Sequence, residues 1–289
     1  MTAFVILHYL ALEETKVCVE SILHGVEGEK QIVLVDNASP NGSGKELREF
    51  YRDQPQVEVI ATDENLGFAR GNNFGYRYAL EHYHPDFVVV MNNDMEIRQP
   101  DFLTQIERCY ERYGFAILGP DIYSTKKHYH QNPQTRKPPT LRELKRRYRA
   151  LWIKDKLKAA IYLKWRLREM RGGAVPAPAR TEDFVREVVV NPLLHGSCYV
   201  FSRDFLTRHP NECFYSKTFM YLEAEILYYQ AIRDGEKMVY CPALRVEHHE
   251  DVATDAEFKK QYQKSIFSVR CLLQSTAALI ELMERDGFR

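Results

Sequence analysis

The sequence lacks features that would place it in several common protein classes. None of its apolar runs approaches the length of about 18 residues that spans a bilayer. No basic residues precede its apolar N-terminus, so we predict a strand there and not a signal peptide. The 6 cysteines include no C-x-x-C pair, which excludes a zinc ribbon or a dense disulfide framework and is typical of a reducing compartment.

Two nucleotide-binding signatures are also absent, and the average charge is uninformative. The sequence contains neither the Rossmann fingerprint G-x-G-x-x-G nor a phosphate-binding loop that ends in G-K-[ST]. Its 40 basic and 40 acidic residues give a formal net charge of zero, which indicates no polyanionic partner. That average hides the segment from Lys126 to Arg171, where 16 basic residues face 3 acidic ones within an otherwise acidic chain.

Apolar runs alternate with amphipathic stretches from the N-terminus to about residue 120. We predict buried strands at AFVILHYL, KQIVLVDN, VEVIAT and DFVVVMNND, with helices between them. This alternation is typical of right-handed βαβ units, and continuous apolar strands indicate a sheet covered on both faces. The sequence therefore predicts an α/β fold with a mainly parallel sheet flanked by helices, a basic helical insertion and a C-terminal helix.

Polar residues follow several of the predicted strands, namely Tyr9, Asp36-Asn37 and Asn92-Asn93-Asp94. Ligands of such sheets bind outside the carboxyl ends of the strands, so we expect these side chains at one edge. A carboxylate such as Asp94 can hold Mg²⁺ or Mn²⁺ together with substrate phosphates, or it can cap a following helix. The segment NLGFARGNNFG, predicted as a loop that becomes a helix, offers backbone groups to an anion.

In combination these motifs resemble a known family. The stretches VILHYLALEETKVCVESI, IVLVDNASPNG, TDENLGFARGNNFGY and VVVMNNDMEI occur in this order, and HGSCYVFSRDFL, FMYLEAEILYYQAIRDG and VEHHEDVAT follow. The whole resembles a family 2 glycosyltransferase with the GT-A (Rossmann-like) fold, of the capsular-polysaccharide or rhamnosyltransferase-like kind found in bacteria. The most specific element is NxGFAxGNNxG.

The resemblance implies a site for a nucleotide-diphosphate sugar as donor substrate. It implies that Asp36 binds the nucleoside and that Asn92-Asn93-Asp94 matches a DxD-type motif. Asp94 then holds Mn²⁺ or Mg²⁺, with His248 near the metal, and the Asn at the first motif position weakens metal binding. The other donor-site residues implied by the resemblance are Tyr9, Asn37, Asn65, Gly67, Phe68, Gly71, Asn72, His195, Gly196 and Ser197.

The catalytic base is expected at Glu223-Ala224-Glu225. An inverting transfer needs a carboxylate that deprotonates the acceptor hydroxyl. The family carries adjacent acidic residues at the start of a helix, but here Ala224 takes the middle position. Either Glu223 or Glu225 could serve, and Glu225 is our first choice. The residues alone would indicate a solvated first helical turn, favoured by the helix dipole.

The basic segment has two interpretations. Between residues 141 and 170, Lys and Arg alternate with Trp152, Trp165 and leucines, which predicts amphipathic helices. They could lie on the anionic inner face of a plasma membrane, the interpretation we prefer, or pack on the core with their charges in water. No RNA-recognition motif supports nucleic-acid binding.

We predict four segments along the chain, with a C-terminal helix that packs on the catalytic domain. The segments are a nucleotide-sugar-binding half (1–125), the basic insertion (126–180), an acceptor-binding and catalytic half (181–254) and the C-terminal helix (255–289). The apolar stripe of that helix is predicted to pack on the catalytic domain, with a homodimer left open. Its members are Phe258, Tyr262, Ile266, Val269, Leu273 and Ile280.

The sequence therefore predicts a metal-dependent, inverting glycosyltransferase that acts on a polyprenyl-diphosphate-linked or growing surface glycan. Its predicted location is the cytoplasm, peripheral to the inner face of the plasma membrane. The alternative, kept open by Ala224 and Asn92, is a catalytically inactive sugar-nucleotide-binding or membrane-associated scaffold protein. A nucleotidyltransferase would need a glycine-rich basic signature after the first strand, which HYLALEETK lacks.

Overall fold

The computed structural model describes residues 1–157, 162, 183–250 and 261–287. The strands are β1 (Thr2–His8), β2 (Lys30–Asp36), β3 (Val57–Ala61), β4 (Phe87–Asn92), β5 (Met95–Glu96), β6 (Ile117–Ser124), β7 (Tyr129–His130), β8 (Val189–Val190), β9 (Cys198–Ser202) and β10 (Met238–His248). The helices are α1 (Leu12–Gly25), α2 (Ser43–Phe50), α3 (Gly67–Tyr83), α4 (Phe102–Tyr113), α5 (Leu141–Lys156), α6 (Arg203–Arg208), α7 (Glu223–Arg233) and α8 (Gln261–Arg285).

The strands form a single sheet in the order β3-β2-β1-β4-β9-β6-β10-β5, with β7 beside β6 and β8 beside β10. The first four strands of that order are parallel, and β10 runs parallel to β6. Between them β9 runs antiparallel to both β4 and β6. The predicted α/β fold, with a sheet flanked by helices and a C-terminal helix, is confirmed.

Helices cover the sheet on both faces, as the continuous apolar strands predict. Because side chains alternate along a strand, Phe4 and Ile6 pack on one side with residues of α1 and α4, whereas Val5 packs on the other side with α3. A Cβ atom at Gly75 would lie 2.6 Å from the side chains of Val5 and Val35. Glycine is therefore required at this position for α3 to lie so close to the sheet.

Helix α3 already begins at Gly67, so the glycine- and asparagine-rich segment is mostly helical and not loop. Asn73 shows what this segment does there. Its Oδ1 accepts hydrogen bonds from the backbone N–H groups of Cys213 and Phe214, both 3.0 Å away, and its Nδ2 donates to the Phe214 carbonyl. Asn73 therefore ties α3 to the backbone at Cys213 and Phe214, and the predicted anion-binding loop is limited to the residues before Gly67.

The basic helix α5 packs against α8. A capping box starts α5, because the Thr140 hydroxyl accepts from the Glu143 backbone N–H and the Glu143 carboxylate accepts from the Thr140 N–H. One face of α5 is buried within the fold, as the core-packing interpretation requires. The apolar cluster between α5, α7 and α8 comprises Leu141, Leu144, Leu222, Ile226, Leu279, Leu282 and Met283.

The buried face of α8 is not the predicted stripe. Phe258 lies outside the described residues, and Tyr262, Ile266, Val269, Leu273 and Ile280 are only partly buried. The buried face includes two polar residues whose hydroxyls are satisfied, because Ser275 donates to the Met220 carbonyl and Thr276 to the Leu272 carbonyl of its own helix. The buried residues of α8 are Cys271, Ser275, Thr276, Ala278, Leu279, Leu282 and Met283. By length and composition alone Tyr262–Arg285 could cross a membrane, although polar residues interrupt its apolar sequence.

The cysteines are buried, as expected of apolar core residues. Cys109 on α4 and Cys241 on β10 are paired sulfur to sulfur across 132 residues of sequence. The spacing of the cysteines did not predict that contact, because it arises only when α4 packs on the sheet.

Candidate functional site

A cavity of about 500 Å³ opens at the edge of the sheet where β1 and β4 end and β9 begins. Because β9 is antiparallel to β4, Cys198 at its start lies beside Met91, which brings residues 195–197 to this edge. Most predicted site residues line the cavity, and the sheet has therefore collected them as expected. They are Tyr9, Asn37, Asn65, Gly67, Phe68, Asn92, Asn93, Asp94, His195, Gly196, Ser197, Glu223, Glu225 and His248.

Three predicted site residues do not line this cavity. Asp36 ends β2, where its Oδ1 accepts a hydrogen bond from the Ser39 backbone N–H at 3.0 Å. Gly71 and Asn72 lie on α3 behind the cavity wall. A Cβ atom at Gly71 would lie 2.7 Å from the Leu7 side chain, and Asn72 donates to the Phe68 carbonyl of its own helix. These two residues shape the wall through packing.

Asn37 organises the loop that enters α3. Its Nδ2 donates to Asn65 Oδ1 at 3.0 Å, and its Oδ1 accepts from the Leu66 backbone N–H at 2.9 Å. Gly67 follows with φ of 75°, and a Cβ atom there would lie 2.2 Å from the Phe219 carbonyl oxygen. That same oxygen accepts from the Phe68 N–H at 2.7 Å. Only glycine permits this close approach, which fixes the mouth of the cavity.

Asp94 is buried directly after β4 and caps no helix, because the next helix, α4, begins at Phe102. This excludes the capping interpretation. Its Oδ1 is buried, has no hydrogen-bond partner and lies 3.3 Å from His248 Nε2. An unsatisfied buried carboxylate oxygen beside an imidazole nitrogen fits a divalent cation. Within residues 1–157, 183–250 and 261–287 no larger group of His, Cys, Asp or Glu could hold a metal.

Asn93 points away from that pair. Its Nδ2 donates to Thr15 Oγ1 at 2.8 Å, and Thr15 in turn bonds to the buried His8 ring at 2.8 Å. Asn93 therefore anchors the end of β4 to α1. Burial lowers the pKa of His8 to about 4, although the charge of Asp36 raises it, so His8 is neutral at pH 7.

His195 presents one hydrogen-bond donor to the cavity. Its Nδ1 lies 2.9 Å from Ser197 Oγ and accepts from the Ser197 backbone N–H at 3.4 Å. A backbone N–H can only donate, so the neutral ring carries its proton on Nε2. Burial, together with the neighbouring His248, lowers the pKa of His195 to about 3. The two rings have centroids 5.8 Å apart. His195 is therefore a neutral donor next to the Asp94–His248 pair.

The two candidate bases occupy different environments at the start of α7. Glu225 is buried, and its Oε1 lies 2.8 Å from a guanidinium nitrogen of Arg136. Glu223 has a buried Oε1 without a hydrogen-bond partner. Burial and the nearby charge of Glu225 raise the pKa of Glu223 to about 7. Neither glutamate lies in the solvated turn that the sequence alone indicated.

The segment before α7 is strained and held by α8. Tyr221 and Leu222 both have left-handed backbones, with φ of 72° and 69°, which is rare for such large residues. Two contacts from α8 support this conformation: Ser275 donates to the Met220 carbonyl at 2.9 Å, and Tyr221 Oη lies 2.9 Å from Ser268 Oγ. Strain held by packing at a cavity is typical of functional sites, and here it directs Glu223 into the cavity.

Several residues of the cavity were missed by the sequence analysis. The basic insertion contributes Lys127, Tyr129, Gln131, Gln134 and Arg136, and Glu250 follows β10. Lys127 pairs with Glu250, and Arg136 with Glu225. In the sequence, the one sign of these residues was Glu250, an acidic residue two positions after His248. The other five lie in the basic segment, which was predicted to be a surface element because of its charge.

The site can be compared with known proteins. Residues 3–165 match the family model described as Glycosyl transferase family 2. The low-salt glycan biosynthesis hexosyltransferase Agl10 of Haloferax volcanii is 24% identical over 263 residues, which cover 90% of this chain and 71% of that protein.

Two solved structures share the fold. S. aureus TarS 1-349 in complex with UDP-GlcNAc aligns with a TM-score of 0.55 at 10% identity, over 95% of this chain and 66% of that one. GalNAc-T7 with UDP, GalNAc and Mn²⁺ aligns with a TM-score of 0.58 at 12% identity, over 87% of this chain and 43% of that one. The chain thus spans less than two thirds of either structure, and at these identities the likeness concerns the fold alone.

Proposed function

Because the chain belongs to glycosyl transferase family 2, we propose that it is a metal-dependent, inverting enzyme that moves a sugar from a nucleotide-diphosphate sugar to an acceptor hydroxyl. One observation carries the proposal: a single cavity contains both the Asp94–His248 pair and the carboxylate of Glu223. Its GT-A fold is shared with TarS, which binds UDP-GlcNAc, and with GalNAc-T7, which was solved with UDP, GalNAc and Mn²⁺.

The donor would lie across the carboxyl edge of the sheet. We assign the nucleoside to the end of β2, where Asp36 supplies a carboxylate, and to Tyr9 at the cavity wall. Asn37 positions Asn65, Gly67 and the start of α3 through its hydrogen bonds. The neutral His195, with its proton on Nε2, would donate a hydrogen bond to the diphosphate or the sugar.

Asp94 Oδ1 and His248 Nε2 would hold Mn²⁺ or Mg²⁺. Such a cation would supply positive charge to neutralise the leaving diphosphate. Among the described residues, Asp94 and His248 are the side chains that would hold the cation. Mg²⁺ is usually bound by one or two carboxylates together with substrate phosphates. Asn92, at the first position of the motif, is not an anionic ligand, which keeps the site weak until the donor arrives.

Glu223 fits the catalytic base better than Glu225, our first choice from the sequence. Its raised pKa of about 7 allows it to take a proton near neutral pH, whereas Glu225 is engaged by Arg136. In the step we propose, the acceptor oxygen loses its proton to Glu223 and bonds to the anomeric carbon. The bond from that carbon to the diphosphate breaks on the opposite face, and the nucleoside diphosphate leaves.

We further propose that the acceptor is a glycan, since the Agl10 relative is named for glycan biosynthesis. We propose that this glycan is carried on a lipid diphosphate or belongs to a growing surface polysaccharide. The exposed side of α5 carries Trp152 and Ile153, and Leu157 follows directly after the helix. Each of the three is about half exposed and lies among lysines and arginines. The partly buried apolar stripe belongs to α8, the helix that packs against α5. Apolar residues within a basic field are typical of helices that lie in an anionic headgroup layer.

The membrane proposal predicts binding to anionic vesicles. We expect the protein to co-sediment with phosphatidylglycerol-containing vesicles, and the double variant Trp152→Ser, Leu157→Ser to bind at least about tenfold more weakly. Burial of one large apolar side chain contributes about 1.5–3 kcal/mol, enough for that factor. Phe50→Ser removes an equally exposed aromatic residue from α2 and should change nothing. Equal binding by all three proteins would contradict the proposal.

The function itself is tested with a panel of nucleotide-diphosphate sugars in Mn²⁺, Mg²⁺ or EDTA. We expect metal-dependent binding of one donor, slow release of nucleoside diphosphate, and a product of inverted anomeric configuration by NMR. Donor binding without any turnover, even with glycan acceptors present, would favour the inactive scaffold protein that Ala224 and Asn92 suggest. No binding of any donor would overturn the proposed function.

A further inference from the structure

A buried chain of three side chains leads to the face of His248 opposite Asp94. Glu250 Oε1 lies 2.6 Å from Gln131 Nε2, and Gln131 Oε1 lies 2.7 Å from His248 Nδ1. Their exposed fractions are 4% for Glu250, 5% for Gln131 and 6% for His248, so no bulk water competes for these bonds.

The chemistry of the chain sets the direction of each hydrogen bond. Lys127 contacts Glu250, which keeps that group a carboxylate, and a carboxylate can only accept. Gln131 must therefore turn its amide N–H₂ toward Glu250 and its oxygen toward His248. That oxygen can only accept, so His248 carries a proton on Nδ1. In the neutral ring, Nε2 is then a bare lone pair.

The bare nitrogen faces Asp94 Oδ1 at 3.3 Å. Both atoms are acceptors, and the carboxylate oxygen has no hydrogen-bond partner. Two buried acceptors at this distance repel each other unless a proton or a metal cation lies between them. The fold holds Gln131 and Asp94 on either side of His248 through backbone hydrogen bonds. The Gln131 N–H donates to the Ile122 carbonyl, and the Asp94 backbone carbonyl accepts from the His249 N–H.

We propose that Gln131 and Glu250 are positioning residues that lock His248 in its Nδ1–H tautomer, so that Nε2 and Asp94 Oδ1 form a cradle selective for Mn²⁺ over Mg²⁺. The proposal rests on the proposed function in one respect, that a cation is used at this site. The selectivity follows from the ligand set, because Mg²⁺ requires oxygen ligands whereas a nitrogen lone pair favours ions later in the transition series.

Glu250 is held for this task by an unfavourable backbone. Its φ of 57° is left-handed, which few residues other than glycine adopt. That conformation turns the chain directly after β10, so the Glu250 carboxylate reaches back to Gln131, 119 residues earlier in the sequence.

The test uses the full chain and three variants. Gln131→Met removes the acceptor for His248 Nδ1 with little change in volume. The double variant Gln131→Glu, Glu250→Gln exchanges the amide and the carboxylate of the chain. It keeps an acceptor that faces His248 and a donor that faces residue 131. His249→Gln alters the adjacent histidine, which bonds to Thr125 and Glu96 outside the cavity.

Two readouts are measured, neither of which is activity. Histidine side-chain ¹⁵N spectra of the metal-free protein report the tautomer, and Mn²⁺ titration by EPR with Mg²⁺ competition reports affinity. We expect His248 as Nδ1–H with unprotonated Nε2, and Mn²⁺ bound at least about tenfold more tightly than Mg²⁺. Gln131→Met should lose about 10–100-fold in Mn²⁺ affinity, the usual cost of removing a partner behind a metal-binding histidine. The double variant should recover most of it, and His249→Gln should match the wild type.

Three results would overturn the inference. These are a proton on His248 Nε2 donated to Asp94, equal affinity for Mn²⁺ and Mg²⁺, or Gln131→Met affinity equal to the wild type. A misfolded Gln131→Met protein does not block the test, because the tautomer is read on the wild type. Mn²⁺ binding that depends on Gln131, without transfer from any donor, would sustain the inference and refute the proposed function. Sugar transfer by a protein whose Mn²⁺ affinity does not depend on Gln131 would refute the inference and sustain the proposed function.

Discussion

Replacing Asp94 with alanine should abolish metal-dependent donor binding and lower the transfer rate at least about a hundredfold. Asp94 is the only carboxylate in the described chain that faces His248 Nε2 with a buried, unpartnered oxygen. Its removal leaves a single neutral ligand for the cation. Electrostatic stabilisation of a leaving diphosphate by a metal amounts to several kcal/mol, and each 1.36 kcal/mol is a factor of ten in rate.

Calorimetry with the nucleotide-diphosphate sugar, in Mn²⁺ and in EDTA, measures the donor affinity. The release of nucleoside diphosphate measures the transfer rate. Asp101→Ala is the matched control, because its carboxylate lies near the start of α4 and bonds only to Gln99 and Gln105 at the surface. If Asp94→Ala retained metal-dependent binding while the fold was intact, the metal would have to sit elsewhere.

Replacing Glu223 with glutamine should lower the transfer rate by about 10²–10⁴-fold, the range typical for loss of a general base. Donor affinity should remain within a few-fold of the wild type, because Asp94 and His248 are untouched. Glu225→Gln is the matched control in the same helical turn. It removes the partner of Arg136 but leaves Glu223, so we expect a much smaller loss. The reverse order of effects would make Glu225 the base.

The rate of the wild-type enzyme should also depend on pH in a defined direction. The base must be ionised to accept a proton, and burial with the Glu225 charge raises the pKa of Glu223 to about 7. Below that pH Glu223 is protonated and inactive, so kcat/KM should rise with pH and level off above pH 7. In Glu223→Gln this rise should vanish. A flat profile in the wild type between pH 5 and 8 would rule Glu223 out.

The parallel half of the sheet was predictable from the sequence because its information is local. A buried parallel strand must be continuously apolar, and a polar residue directly after it must lie at the carboxyl edge. Those two rules placed β1 to β4 and brought Tyr9, Asn37 and Asp94 to one cavity before any contact was known. Most residues of the site could be predicted from the positions of the strand ends and from the family resemblance of the motifs that follow them.

Where the prediction departed from the structure, a distant partner changed the outcome. The glycine- and asparagine-rich segment is helical from Gly67, and Asn73 on that helix bonds to the backbone of Cys213 and Phe214, about 140 residues away. The most apolar stripe of α8 is not its buried face, because Ser275 satisfies its hydroxyl on the Met220 carbonyl and can be buried. A hydrophobicity scale ranks the faces of a helix by the free energy of transferring their side chains out of water. It does not include the hydrogen bonds that buried polar groups form only in the folded protein.

The sequence by itself determined the strands, their carboxyl edge and the residue types that can hold a diphosphate, a cation and a proton. Only the tertiary structure decided which carboxylate has a raised pKa and which nitrogen of His248 carries no proton. It also decided that Gln131 and Arg136, which belong to the basic segment, line the cavity. Burial and hydrogen-bond direction are properties of neighbours in space. A residue's side chain fixes what it can donate or accept, whereas the packed fold fixes which of those capacities is left for a ligand.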